Sequence, residues 1–339
     1  MARRYAPAAV LLKLPNEILQ QIAEQLSLSG QRSIATSCRD LRQVFLPVLF
    51  KHVSVQSKAS LNALSEIIPS FISYIQCLNI SLTDDFFNAW VHDPNSPLTT
   101  ILTQTPLLQS LILEVSGSGA SQDLPWHRLA LRTQRFGTGL NEPRQAPQLP
   151  IFDRLTHLEF RTGTINALEI LLRHAPNLTS LVLSILDGLY DDEIIHLLEV
   201  LRYVPALKAL SMSVADWETQ KPQRGIAHVC DVLRDVAESL PRLEMLDLRT
   251  RSFDVIDHTL AFASVGVKYV NIEALCSVMP FFSHLRVLRL PLLINHEAEF
   301  SLSRAIASAA PTLEMVSWMY EVHLKAETDE YNVKPSAPR

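Results

Sequence analysis

The sequence has little glycine, few cysteines and no recognisable catalytic signature. Nine glycines occur in 339 residues, and no phosphate-binding glycine loop, G-x-S-x-G or H-E-x-x-H motif is present. The four cysteines lie far apart without a C-x-x-C pair, which predicts reduced thiols in an intracellular protein, cytoplasmic or nuclear. We therefore expect no enzyme activity, no cofactor and no metal site.

Long apolar runs and an excess of basic residues are also missing. No stretch approaches the roughly 18 apolar residues of a membrane-spanning helix, and the apolar run at 8–12 is shorter than a signal-peptide core. The formal net charge is -5, with Lys and Arg scattered along the chain. We expect neither a membrane nor a nucleic acid as partner. The apolar content of 47% predicts a folded chain.

Residues 11–49 predict three short amphipathic helices. Pro15 stands near the start of the first, where its missing N–H costs little. Apolar residues then recur at helical spacing on either side of a break at Gly30: Ile18, Ile22 and Leu26, then Ile34, Cys38 and Leu41. A segment of about forty residues buries too little apolar surface to be stable alone. The apolar stripes therefore have to pack against a partner or against the rest of the chain.

This segment resembles the F-box, in which Leu-Pro precedes an acidic residue and spaced apolar positions. The matching residues are Leu14, Pro15, Ile18, Leu19, Ile22, Leu26, Ile34, Cys38 and Leu41. The resemblance implies that they bind a Skp-type adaptor and, through it, a cullin. Many F-boxes carry a Trp soon after the Cys, where this chain has Leu41. The alternative is that the helices only cap the following repeats.

A repeated leucine pattern of the type L-x-x-L-x-L follows. Its copies start at Phe50, Ile75, Leu108, Leu155, Leu178, Leu207, Leu243, Leu285 and Leu313, with a weaker copy at Trp126. Five copies have a proline two residues earlier: Pro106, Pro176, Pro205, Pro241 and Pro311. With 20 prolines in the chain, chance predicts about half an occurrence. Helical patterns precede most of these prolines, which predicts units of helix, proline stop and strand.

Strands alternating with helices predict an α/β fold with a parallel sheet built by right-handed crossovers. The units resemble irregular leucine-rich repeats, and this resemblance implies a curved right-handed solenoid, although the asparagine that often follows the last leucine is missing. The expected organisation is a flexible N-terminus at 1–10, an F-box at 11–49, a solenoid at 50–322 with a long loop at 114–154, and a flexible tail at 323–339.

Period-2 alternation predicts which strand residues face away from the buried leucines. The candidate target-binding residues on that face are His157, Glu159, Arg161, Asp247, Arg249 and Arg289. The alternative is that these side chains only solvate the sheet.

The combined resemblance implies a substrate-recognition subunit of an SCF-type ubiquitin ligase, in which the solenoid binds an unidentified target protein. One rival is a scaffold with the same two parts that acts outside ubiquitin transfer. A second rival is an enzyme with a site in the loop at 114–154, where only His127 and scattered Arg and Glu residues are available.

Overall fold

The computed structural model describes residues 11, 13–66, 69–82, 96–115, 149–161, 165–184, 191–214, 225–250, 272–293, 296–319 and 328–332. The chain divides into two compact units, Met1–Leu155 and Thr156–Arg339. The first unit contains the helices at its N-terminus and the first repeats, and the second contains the remaining repeats. Both are mixed α/β structures with parallel strands, which confirms the predicted α/β class and the parallel pairing.

Three helices open the first unit: α1 (Asn16–Gln25), α2 (Leu28–Ser37) and α3 (Arg39–Leu49). Pro15 directly precedes α1 and its carbonyl accepts the first helical hydrogen bond, from the Leu19 N–H at 3.1 Å. The Ser27 hydroxyl accepts from the Gly30 N–H and so caps α2. The Cys38 Sγ takes the same position at the start of α3. Side-chain capping therefore defines the starts of α2 and α3, whereas Pro15 precedes α1 without a side-chain cap.

These helices have a hydrophobic core of their own, made by Leu19, Ala23, Ala35, Leu41 and Phe45. Leu19 and Ala23 are buried, whereas Ile18, which belongs to the predicted stripe, is 41% exposed. The buried face of α1 is thus the one next to the predicted stripe.

Buried Gln31 joins α1 to α2. Its side-chain Nε2 donates to the Ala23 carbonyl at 2.8 Å and to the Leu26 carbonyl at 3.2 Å, both at the end of α1. The Ala23 carbonyl also accepts from the Leu26 N–H at 3.1 Å. We expect Gln31→Ala to lower the free energy of unfolding by about 1–3 kcal/mol, because two hydrogen bonds between α1 and α2 are lost. Denaturant unfolding checks this, with exposed Gln25→Ala as a control that should change stability by less than about 0.5 kcal/mol.

The rest of the first unit contains three parallel strands and their connecting helices. The elements are β1 (His52–Val55), α4 (Lys58–Glu66), α5 (Pro69–Ile72), β2 (Cys77–Leu82), α6 (Pro97–Thr103) and β3 (Ser110–Val115). Register pairs Val53 with Leu78 and Leu78 with Leu111. Phe50, which directly follows α3, stacks on Phe71 with ring centroids 4.4 Å apart, so the helices lead into the first repeat without a linker.

The second unit repeats the same arrangement six times and then reverses direction. Its elements are β4 (His157–Arg161), α7 (Ile165–Arg173), β5 (Ser180–Leu183), α8 (Asp191–Leu201), β6 (Ala209–Val214), α9 (Gly225–Ser239), β7 (Met245–Thr250), α10 (Ile272–Val278), β8 (Val287–Leu293), α11 (His296–Ala309), β9 (Met315–Met319) and β10 (Thr328–Asn332). Strands β4 to β9 pair in parallel, and β10 pairs antiparallel with β9.

One turn recurs before the strands, and it explains the proline spacing. Each of the nine strands β1 to β9 begins two residues after a predicted repeat start. Three residues before the start, from the second copy onward, the chain has a buried residue: Ile72, Thr105, Phe152, Ala175, Val204, Leu240, Phe282 and Ala310. In seven copies its carbonyl accepts from the N–H of the leading residue. Proline fits between them because its own N–H is not used.

The described residues differ from two sequence predictions. The loop expected at 114–154 is shorter at both ends, because Glu114 and Val115 belong to β3 and Leu149 and Phe152 are buried. The tail expected to be flexible from residue 323 contains β10, which pairs with β9. This pairing uses backbone groups, so the polar side chains of β10 gave no sequence signal for a strand. The weak copy at Trp126, residues 1–10 and most of the loop lie outside the described residues.

In the part of the chain that the structure describes, no helix combines the length and apolarity needed to cross a membrane.

Candidate functional site

The strand surface of the second unit that faces away from the buried leucines is the first candidate site. Alternating burial in β4 and β5 places Leu158, Phe160, Leu181 and Leu183 in the core and the intervening residues on this surface. Parallel register aligns the surface residues in rows across the strands. We call the surface formed by β6 to β9 the strand face.

A polar row crosses the strand face and is centred on Asp247. Register aligns Ser211, Asp247, Arg289 and Ser317 on four adjacent strands. The Asp247 Oδ2 accepts from Arg249 Nε at 2.9 Å, from Arg249 Nη2 at 2.6 Å and from the Ser211 hydroxyl at 3.2 Å. Arg289 Nη1 lies 3.9 Å from the same oxygen. Two guanidinium groups therefore share one carboxylate.

Asp247 differs from its prediction as a surface residue, because its side chain is only 4% exposed while that of Arg249 is 55% exposed. The arginines shield the carboxylate from solvent. A target that contacts this row would meet guanidinium groups first, and Asp247 would act by orienting them.

An apolar row lies next to the polar row. Register aligns Ala209, Met245, Val287 and Met315, one from each of β6 to β9, and all four are half-buried. Methionine adapts its shape to different contacts. The row therefore offers a continuous and adaptable apolar strip.

An ion-paired row borders the apolar strip, one residue before each strand begins. Lys208 Nζ lies 2.7 Å from Glu244 Oε1, and Arg286 donates to both Glu314 oxygens at 2.9 Å. The hydrogen bond from Lys208 lowers the pKa of Glu244, and that from Arg286 to Glu314 raises the pKa of Arg286. Because these groups are exposed, each pair contributes little to stability. Sequence reasoning missed this row. When the last four predicted copies are aligned at their leading leucine, the next residue alternates between basic and acidic: Lys208, Glu244, Arg286 and Glu314.

The remaining candidates lie on β4, the first strand of the second unit. Arg161 pairs with Glu159, with Nη2 2.6 Å from Oε1, and His157 Nδ1 lies 3.1 Å from the Ser180 hydroxyl. Register continues the polar row from Ser211 through Val182 to Glu159. Val182 thus separates the Glu159–Arg161 pair from the Asp247 cluster, and the six predicted residues form two groups instead of one.

The helices α1 to α3 form the second candidate site. Leu14, Ile18 and Leu28 are 37%, 41% and 52% exposed, and Pro15 is also exposed. Leu19 and Leu41 lie in the core, so they would hold the helices together and could not contact an adaptor. Four other predicted residues are half-buried: Ile22, Leu26, Ile34 and Cys38. Leu28 was not predicted, because it begins α2 outside the stripe of α1.

A groove of about 300 Å³ beside these helices is lined by Asn16, Gln20, Asp40, Gln43 and Val44. It is open and mostly polar, unlike the enclosed apolar pockets that bind small molecules. Within the described ranges, no three His, Cys, Asp or Glu side chains are grouped as metal ligands.

Comparisons with known proteins returned structures only. No protein-family model matches the chain, and no curated protein matches it. The chain is similar to the leucine-rich repeat-containing protein LegL7 from Legionella pneumophila, with 14% identity over 81% of this chain and 87% of that one and a TM-score of 0.38. It is also similar to a chain in the TLR13–ssRNA13 complex, with 16% identity over 74% of this chain and 30% of that one and a TM-score of 0.32. Both TM-scores are low, so the repeat organisation rests on the register and burial described above.

Proposed function

We propose that this chain is the substrate-recognition subunit of an SCF-type cullin-RING ubiquitin ligase. Helices α1 to α3 act as an F-box that binds a Skp-type adaptor, and leucine-rich-repeat-like units form a curved right-handed solenoid that binds a target protein. The chain positions its target and catalyses nothing itself. The protein is intracellular, cytoplasmic or nuclear, and needs no cofactor.

The observation that carries this proposal is an exposed apolar surface on a helical module with its own core. A cap that only covered the first repeat would direct its large apolar residues toward that repeat. Here Leu14, Ile18 and Leu28 remain exposed although Leu19 and Leu41 already complete a core. A contiguous exposed apolar patch marks a protein-binding surface, and Leu14 and Ile18 are four residues apart at the start of α1. The F-box resemblance identifies the adaptor as the partner.

Co-purification with a Skp-type adaptor tests the proposal. The chain is expressed with the adaptor as wild type and as the double variant Leu14→Asp, Ile18→Asp. We expect near-equal stoichiometry for wild type and at least about tenfold weaker binding for the variant, since charging two apolar contacts costs about 2 kcal/mol or more. Both side chains are exposed in the chain alone, so the fold should be preserved.

The matched control is Gln21→Ala, Gln25→Ala, which alters two exposed polar residues of the same helix and should leave binding unchanged. If the wild type does not bind the adaptor, residues 11–49 only cap the repeats and the proposed ligase function is wrong. Adaptor binding without a cullin or ubiquitin-conjugating activity in the complex would favour the scaffold alternative.

A further inference from the structure

We draw no further inference here: the strongest candidate, the surface patch formed by the exposed aromatic side chains of Tyr203 and Phe281 at equivalent positions ahead of β6 and β8, carries nothing, because nothing in the described part of the structure shows what covers it.

Discussion

Replacing Phe45 by Ala should unfold helices α1 to α3 while the repeats stay folded. Phe45 is fully buried at the centre of the helical core. Truncating a buried Phe to Ala costs about 3–5 kcal/mol, and a core formed by three short helices has little stability to lose. The helices form their own core, so we expect the loss to remain local.

Hydrogen exchange followed by mass spectrometry measures this directly. In Phe45→Ala, amides within residues 16–49 should exchange much faster, while those of β4 to β9 should keep their protection. The β1 strand should lose protection slightly, because the Phe50–Phe71 stack and the Lys51–Glu24 ion pair connect it to the helices. Gln43→Ala, an exposed change in the same helix, serves as control. Equal loss of protection in the repeats would show that the helices and repeats fold as one body.

The same variant separates the two proposed binding activities. Adaptor co-purification should be lost in Phe45→Ala, since the exposed leucine and isoleucine are held in place by the helical core. Binding of the target protein by the repeats should persist. Loss of both activities together would contradict the assignment of adaptor binding to the helices and of target binding to the repeats.

The sequence predicted the repeats well because their signal is local. The leading leucine, the proline two residues earlier and the helix before it lie within about 20 residues, the range in which backbone preferences act. Each strand consequently begins two residues after a predicted start. The copies starting at Leu155 and Leu285 have Asp153 and Ser283 instead of proline, yet they form the same turn region with buried Phe152 and Phe282. Burial at that position defines the turn more generally than proline does.

The candidate sites were predicted less well because burial depends on distant residues. Asp247 is covered by Arg249 on its own strand and Arg289 on the next, and alternation within one strand cannot show such coverage. In α1, Ile18 and Leu19 are equally apolar, and the packing of α3 decides that Leu19 is buried. The β10 strand carries no apolar alternation, since its antiparallel pairing with β9 depends on backbone groups.

Replacing Phe160 by Ala should destabilise the second unit by about 3–5 kcal/mol, the cost of truncating a fully buried Phe. Phe160 lies in β4, which pairs with β5, and the cavity left by its side chain lies beside that pairing. In repeat structures each unit contacts mainly its neighbours. Exchange should therefore accelerate most in β4 and β5 and less toward β9.

Phe281→Ala is the matched control, because it removes the same side chain from a position that is 50% exposed. Denaturant unfolding should show a change of less than about 1 kcal/mol for this variant, since little apolar surface is returned to water. Adaptor binding should survive in Phe160→Ala, whereas binding of the target protein should weaken as the sheet of the second unit loosens. This pattern is the reverse of that expected for Phe45→Ala. If Phe45→Ala abolishes only adaptor binding and Phe160→Ala weakens only target binding, the adaptor surface and the target surface lie on separately stabilised parts of the chain.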